Sequence, residues 1–210
     1  MDSREKRLER LRGARLLLVT DPRPDLARRV AAAVEGGVRI VQLRDKSAGR
    51  EELLRQSEAL LEVCERHGAL FTINDNPELA LAAGAAGVHL GQEDGELARA
   101  RDLLGDTAVL GRSAGTLEEA RAAIAEGADY LGVGAVYTTP TKPDGDIGGL
   151  ELLRELAAAE LPVPWFAIGG VTPQTAGEVA GAGAPGFAVV RAVLDAEDPA
   201  AAARELRAYL

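Results

Sequence analysis

The chain has 210 residues and a formal net charge of −9, and 47% of its residues are hydrophobic while 3% are aromatic. That length fits one large domain or two small ones, with a core built from Ala, Val, Leu and Ile. The acidic balance disfavours nonspecific binding to nucleic acid or to anionic membranes, so any phosphate ligand must be held by local cations. A single cysteine, Cys64, excludes an internal disulfide framework. No apolar run reaches bilayer length, and the charged start Met1-Asp2-Ser3-Arg4-Glu5-Lys6 lacks an apolar signal region. The expectation is a soluble, cytoplasmic protein.

Taken in order, the chain opens with Asp2–Arg12, a charged helix candidate inside an extension over residues 1–13. It reads as a solvated cover or as part of an interface in a homodimer. Short apolar runs then alternate with helical patterns. Strands are predicted over Arg15–Thr20, Val38–Arg44, Ala69–Asn74, Gly87–Leu90, Ala108–Arg112, Tyr130–Val136, Pro164–Ile168 and Gly186–Val190. Each is followed by apolar residues at helical spacing, as in Leu26–Glu35, Glu51–His67, Leu117–Glu126 and Leu150–Ala159. Several of these stretches end at a glycine, as in His67-Gly68, where a left-handed cap costs least. Cys64 lies in the amphipathic stretch Glu51–His67 and reads as core rather than nucleophile.

Eight strand–helix units with no linker between them predict an α/β fold, a single (β/α)8 TIM barrel over residues 1–210. The alternative is an open doubly wound sheet. Against it, the first strand is followed by Thr20-Asp21-Pro22-Arg23-Pro24 and not by Gly-x-Gly-x-x-Gly.

A barrel of this kind carries its active site at the carboxyl ends of its strands. The second strand ends in Gln42, Arg44 and Lys46, which alternation puts on the face opposite Val41 and Leu43, toward the barrel mouth. By the same parity Thr72 and Asn74 point inward. Asp75 and Asp94 end neighbouring strands, and two carboxylates with open positions suit Mg²⁺ shared with a pyrophosphate. Taken singly, Asp94 also reads as a helix cap, Asp75 as a turn residue and His89 as a structural hydrogen-bonder. Ser113 ends the fifth strand and can donate to phosphate. Gly169-Gly170 follows the seventh, where backbone N–H groups can approach a phosphate. The sixth strand runs into Thr138-Thr139-Pro140-Thr141-Lys142, a hydroxyl-rich loop closed by a cation. Two anion sites follow from these placements.

The ordered motifs VQLRDK, TINDN, GVHLGQED, GRS, GVGAVYTTPTK, AIGGV and AVVRAV resemble those of the thiamine phosphate synthase family over about Arg15 to Pro199. That family joins a hydroxymethylpyrimidine pyrophosphate to a thiazole phosphate, with pyrophosphate leaving first. The resemblance implies small phosphorylated substrates, Mg²⁺ as cofactor, and neither nucleic acid nor membrane as partner. Gln42, Arg44, Lys46 and Asn74 would hold the pyrimidine pyrophosphate, and Asp75 and Asp94 would bind Mg²⁺. Ser113 and Lys142 would reach the pyrimidine substrate and its leaving group. Thr139, Thr141, Gly169, Gly170 and the backbone near Val190 would hold the thiazole phosphate, with Arg191 a further candidate. Arg44, Lys46 and Lys142 would carry the catalytic charge stabilisation.

Gly115 stands where relatives often carry His, Ala135 and Thr138 replace common prolines, and Arg191 replaces Ser. A related thiazole tautomerase relies on a His near position 115, so it ranks second. A catalytically silent barrel that binds a thiamine precursor is the remaining alternative.

Overall fold

The structure, a computed structural model, describes residues 2–138 and 148–210. Eight strands form a closed parallel barrel in sequence order: β1 (Leu16–Val19), β2 (Ile40–Leu43), β3 (Leu70–Asn74), β4 (Gly87–Leu90), β5 (Val109–Ala114), β6 (Tyr130–Val133), β7 (Trp165–Ile168) and β8 (Phe187–Val189). β8 closes on β1 with Leu17 opposite Ala188. The helices are α1 (Ser3–Leu11), α2 (Leu26–Glu35), α3 (Arg50–His67), α4 (Pro77–Ala82), α5 (Leu97–Leu104), α6 (Leu117–Ala125), α7 (Gly149–Ala158), α8 (Pro173–Gly181), α9 (Arg191–Leu194) and α10 (Pro199–Arg207). The (β/α)8 TIM barrel expected from alternation is therefore the fold. At the end of α3, Gly68 takes φ 67°, the left-handed cap its sequence position suggested.

Alternation divides the apolar side chains into two clusters. Val41, Leu43, Phe71, Ile73, Val88, Leu90 and Leu110 face outward and pack with the helices. Leu17, Val19, Ile40, Val109, Tyr130, Phe166 and Ala188 fill the interior. The ring of Tyr130 meets Phe166 edge-on, with centroids 5.9 Å apart. Interior glycines make this filling feasible. A Cβ on Gly111 would lie 2.2 Å from Tyr130 Cζ and 2.5 Å from His89 Nδ1, so the two rings occupy the space its hydrogen leaves. Cys64 is buried among the helix-packed residues, and desolvation pushes its thiol up to about 12, which fits core and not nucleophile.

Two expectations need correction. The first is α1, which is more than a solvated cover. Leu11 is 1% exposed and inserts into the interior cluster. Arg7 is buried as well, pairing with Asp129 at 2.8 Å and donating to the Asp106 carbonyl at 2.6 Å. Asp129 also accepts from Arg101 at 2.8 Å and from the Leu110 N–H at 2.9 Å, so this buried carboxylate is paired and hydrogen-bonded. Because Asp106 and Asp129 precede β5 and β6, α1 seals the amino-terminal end of the barrel. Asp2 and Glu5 form a capping box at its start.

The second correction is β6, which ends at Val133 and not Val136. Gly134 passes so close to β7 that a Cβ there would lie 2.1 Å from the Ile168 carbonyl oxygen. Beyond it the chain still bonds to β7 through Val136 N to Ile168 O (2.9 Å) and Tyr137 N to Gly169 O (3.0 Å).

Candidate active site

The carboxyl ends of β2, β3 and β4 bring six of the expected residues to one end of the barrel. Gln42 is buried inside the barrel, and its Nε2 donates to Asn74 Oδ1 at 2.6 Å. Strand pairing stops at Leu43, so alternation fixes the direction of Gln42 but not of Arg44 or Lys46. Another contact sets Arg44: its backbone N–H donates to Thr20 Oγ1 at 2.9 Å. The Arg44 side chain is half-buried and makes no ion pair among the described residues. Lys46 is exposed and reaches Asp75 at 3.8 Å.

Asp75 is the turning point after β3. Its φ of 63° lies in the left-handed region, which Asp and Asn tolerate better than most residues. Its N–H donates to the His89 carbonyl at 2.8 Å, tying it to β4. The side chain lies in hydrogen-bonding contact with Asp94. Desolvation first, and then the neighbouring Asp94, push its carboxyl up to about 6, although Lys46 pulls the other way.

Asp94 does not cap α5, whose N-cap is Glu96. Its Oδ2 instead accepts from the Gly91 N–H at 2.9 Å. The two carboxylates crowd together with one weak cation at their edge, a donor set that a hard, oxygen-seeking cation fits. Such a cation keeps its remaining positions for water or phosphate oxygens.

Behind this rim is a polar layer that sequence reading did not assemble. His89 Nε2 lies 3.1 Å from Ser113 Oγ, and its Nδ1 lies 3.3 Å from Tyr130 Oη. Burial pushes the Tyr130 phenol well above its usual range, so it stays protonated. Ser113 is thereby engaged from inside the barrel as well as open to the mouth. The missed signals were inward parity at Tyr130 and the glycines 111 and 132, which leave room for the histidine ring.

The second expected anion site lies after β7 and β8. Gly169 and Gly170 have φ of 101° and 71°. A Cβ on Gly170 would lie 2.7 Å from Tyr137 Cβ, so the turn is closely packed as well as left-handed. Thr172 and Thr175 form a capping box at the start of α8, and Thr175 Oγ1 donates to the Gly170 carbonyl at 2.9 Å. Val190 is the N-cap of α9. Arg191 is exposed, with Nε 3.8 Å from Asp21, a carboxylate that also holds Arg23 at 2.5 Å. Thr139, Thr141 and Lys142 lie outside the described residues.

A family model described as thiamine monophosphate synthase matches residues 16–193. The chain belongs to this family. A thiamine-phosphate synthase from Halorhodospira halophila is 49% identical over 189 residues, covering 90% of both chains. One from a Synechocystis species is 46% identical over 205 residues, which are 98% of this chain and 60% of that relative. The chain therefore spans less than two thirds of the length of the Synechocystis relative. The structure of a thiamine phosphate pyrophosphorylase from Pyrococcus furiosus superposes with a TM-score of 0.84 at 36% identity, covering 99% of this chain and 97% of that one. Family membership thus agrees with the barrel, with the motif order and with a polar mouth that carries both cations and paired carboxylates. Among the described residues, no helix is long and apolar enough to cross a membrane.

Proposed function

We propose that this chain is a thiamine-phosphate synthase, a transferase that condenses 4-amino-2-methyl-5-hydroxymethylpyrimidine pyrophosphate with hydroxyethylthiazole phosphate. The observation that carries this reading is the juxtaposition at one barrel end of the Gln42–Asn74 pair, Arg44, Lys46 and the crowded carboxylates Asp75 and Asp94. Cations beside clustered carboxylates suit a ligand that is polyanionic and metal-bound, and a pyrophosphate is both.

The reaction needs neither nucleophile nor general base. The bond between the pyrimidine methylene carbon and the pyrophosphate oxygen breaks, and its electron pair leaves with pyrophosphate. The cation that remains is stabilised by the aminopyrimidine ring. The thiazole nitrogen lone pair then forms the C–N bond, giving the thiazolium of thiamine phosphate. Gln42 and Asn74 orient the pyrimidine pyrophosphate, while Arg44 and Lys46 meet charge that builds on the leaving group. Lys142 joins them on the strength of the family resemblance. Asp75 and Asp94 would hold Mg²⁺, which supplies further neutralisation of the departing pyrophosphate. The turn at Gly169-Gly170 and the Val190 backbone hold the thiazole phosphate, aided by Thr139 and Thr141. Ser113, backed by His89, faces the pyrimidine side. Arg191 sits at the edge of the phosphate site, where its pairing with Asp21 competes with any ligand role.

The test is a turnover assay with purified chain, both substrates and Mg²⁺. Thiamine phosphate and pyrophosphate should appear in equal amounts, cease with EDTA and return with excess Mg²⁺. Isomerisation of a thiazole carboxylate phosphate without condensation would instead indicate a tautomerase, and tight binding without turnover a silent barrel.

A further inference from the structure

Arg112 occupies the middle of the Gly-Arg-Ser motif within the last half of β5, yet only Ser113 has a place in the reaction described above. The two point oppositely. Ser113 faces the barrel interior, and Arg112 reaches sideways to the loop that leaves β4. Its Nη1 donates to the Gly95 carbonyl at 2.7 Å and its Nη2 to the Gln92 carbonyl at 3.0 Å. These two carbonyls bracket Glu93 and Asp94. Inside the bracket the turn closes on itself, with Asp94 N donating to Gly91 O at 3.2 Å and Gly91 N donating to Asp94 Oδ2 at 2.9 Å. Residues 92–96 are exposed and outside the strand ladder, so beyond the bonds of Asp94 to Gly91 and Asp75 the guanidinium adds a tie from β5 to this turn. A planar fork with separate N–H donors can hold two carbonyls at once, which an ammonium on a flexible stem does poorly.

We propose that Arg112 is a positioning residue for the metal site: it holds the 92–95 turn so that the Asp94 carboxylate stays beside Asp75. The proposal rests on the reading of Asp75 and Asp94 as Mg²⁺ ligands. Two carboxylates without a cation repel each other, and a loosely held turn relieves that repulsion by swinging Asp94 away. Arg112 opposes the swing, so metal meets a formed pair and not a dispersed one. The turn is exposed, and its carbonyls return to water when the guanidinium is removed. The effect therefore falls on metal affinity far more than on folding.

The experiment titrates Mn²⁺ alone, as a Mg²⁺ surrogate, into wild type, Arg112→Met, Arg112→Lys and Asp94→Ala, reading binding by water-proton relaxation and folding by Tm. Arg112→Met should weaken Mn²⁺ binding roughly tenfold, the low end for loss of a residue that orients a metal ligand. Its Tm should stay within a few degrees of wild type, and Arg112→Lys should restore little. In turnover, the Mg²⁺ concentration for half-maximal rate should rise while kcat at saturating Mg²⁺ is kept. Wild-type Mn²⁺ affinity in Arg112→Met, with affinity lost in Asp94→Ala, would overturn the role of Arg112 and leave the metal reading intact. Wild-type affinity in Asp94→Ala would overturn the metal reading itself. Weaker binding in Arg112→Met that is matched by a large fall in Tm would also count against positioning, since the residue would then be a general structural support.

Discussion

The Asp75 carboxylate is held where an unliganded protein gains nothing from it. It occupies a left-handed backbone position, is half-desolvated, and lies against Asp94. Its folded value of about 6 stands above the ordinary 3.8. Below about pH 4 both folded and unfolded chains hold the proton, and the group contributes nothing. Between about pH 4 and pH 6 the unfolded chain has given up this proton while the folded chain still holds it, so stability falls across that window and levels off once pH has passed about 6. Asp75→Asn removes the charge and keeps the turn geometry. In chelator it should raise stability at pH 8 by on the order of 1–2 kcal/mol, after allowing for solvent screening at the mouth. The gain should vanish near pH 4. Urea unfolding at both pH values checks this, and an Asn variant less stable than wild type at pH 8 would contradict it. Stability given up at a site for later use by a ligand is a common trade.

At the scale of elements, the strands were legible because short apolar runs flanked by glycines leave few alternatives. Gly87–Leu90 and Trp165–Ile168 match their expected spans to within a residue. Two features were not legible, for physical reasons. β6 ends at Val133, just before Gly134 passes close to the Ile168 carbonyl, a tertiary approach that the local apolar pattern does not show. The role of α1 depends on where Leu11 and Arg7 land, and a charged helix with two inward residues reads locally as a solvated one. Leu11→Ala should cost about 2–4 kcal/mol, as for other fully buried leucines. Because α1 seals the end away from the chemistry, KM for both substrates should be unchanged at a temperature where the variant is folded. Thermal melts with parallel kinetics test this, and a raised KM without a lowered Tm would mean that the floor communicates with the mouth.

At the scale of the whole molecule, a chain of net charge −9 gathers Arg44 and Lys46 beside a carboxylate pair at one barrel end, which in the proposed reaction meets polyanionic substrates. The barrel makes this possible by placing strand ends from distant sequence positions in one ring, so Gln42 meets Asn74 and His89 meets Ser113. Motif order and inward parity were enough to nominate most of that ring. Parity could not extend past Leu43, where the ladder stops, and so the anchoring of Arg44 by Thr20 emerged only in three dimensions. The interior relay of Ser113, His89 and Tyr130 was equally hidden, because each residue taken singly has an ordinary structural explanation. In the proposed function this rim makes thiamine phosphate with the help of its carboxylate pair. The most direct measurement compares initial rates of thiamine phosphate formation by wild type and Asp94→Ala at saturating substrates and Mg²⁺. Wild type should turn over steadily, and the variant should lose roughly 10²-fold or more in rate with its Tm retained. Equal rates from the two proteins, or no product from wild type, would contradict that function.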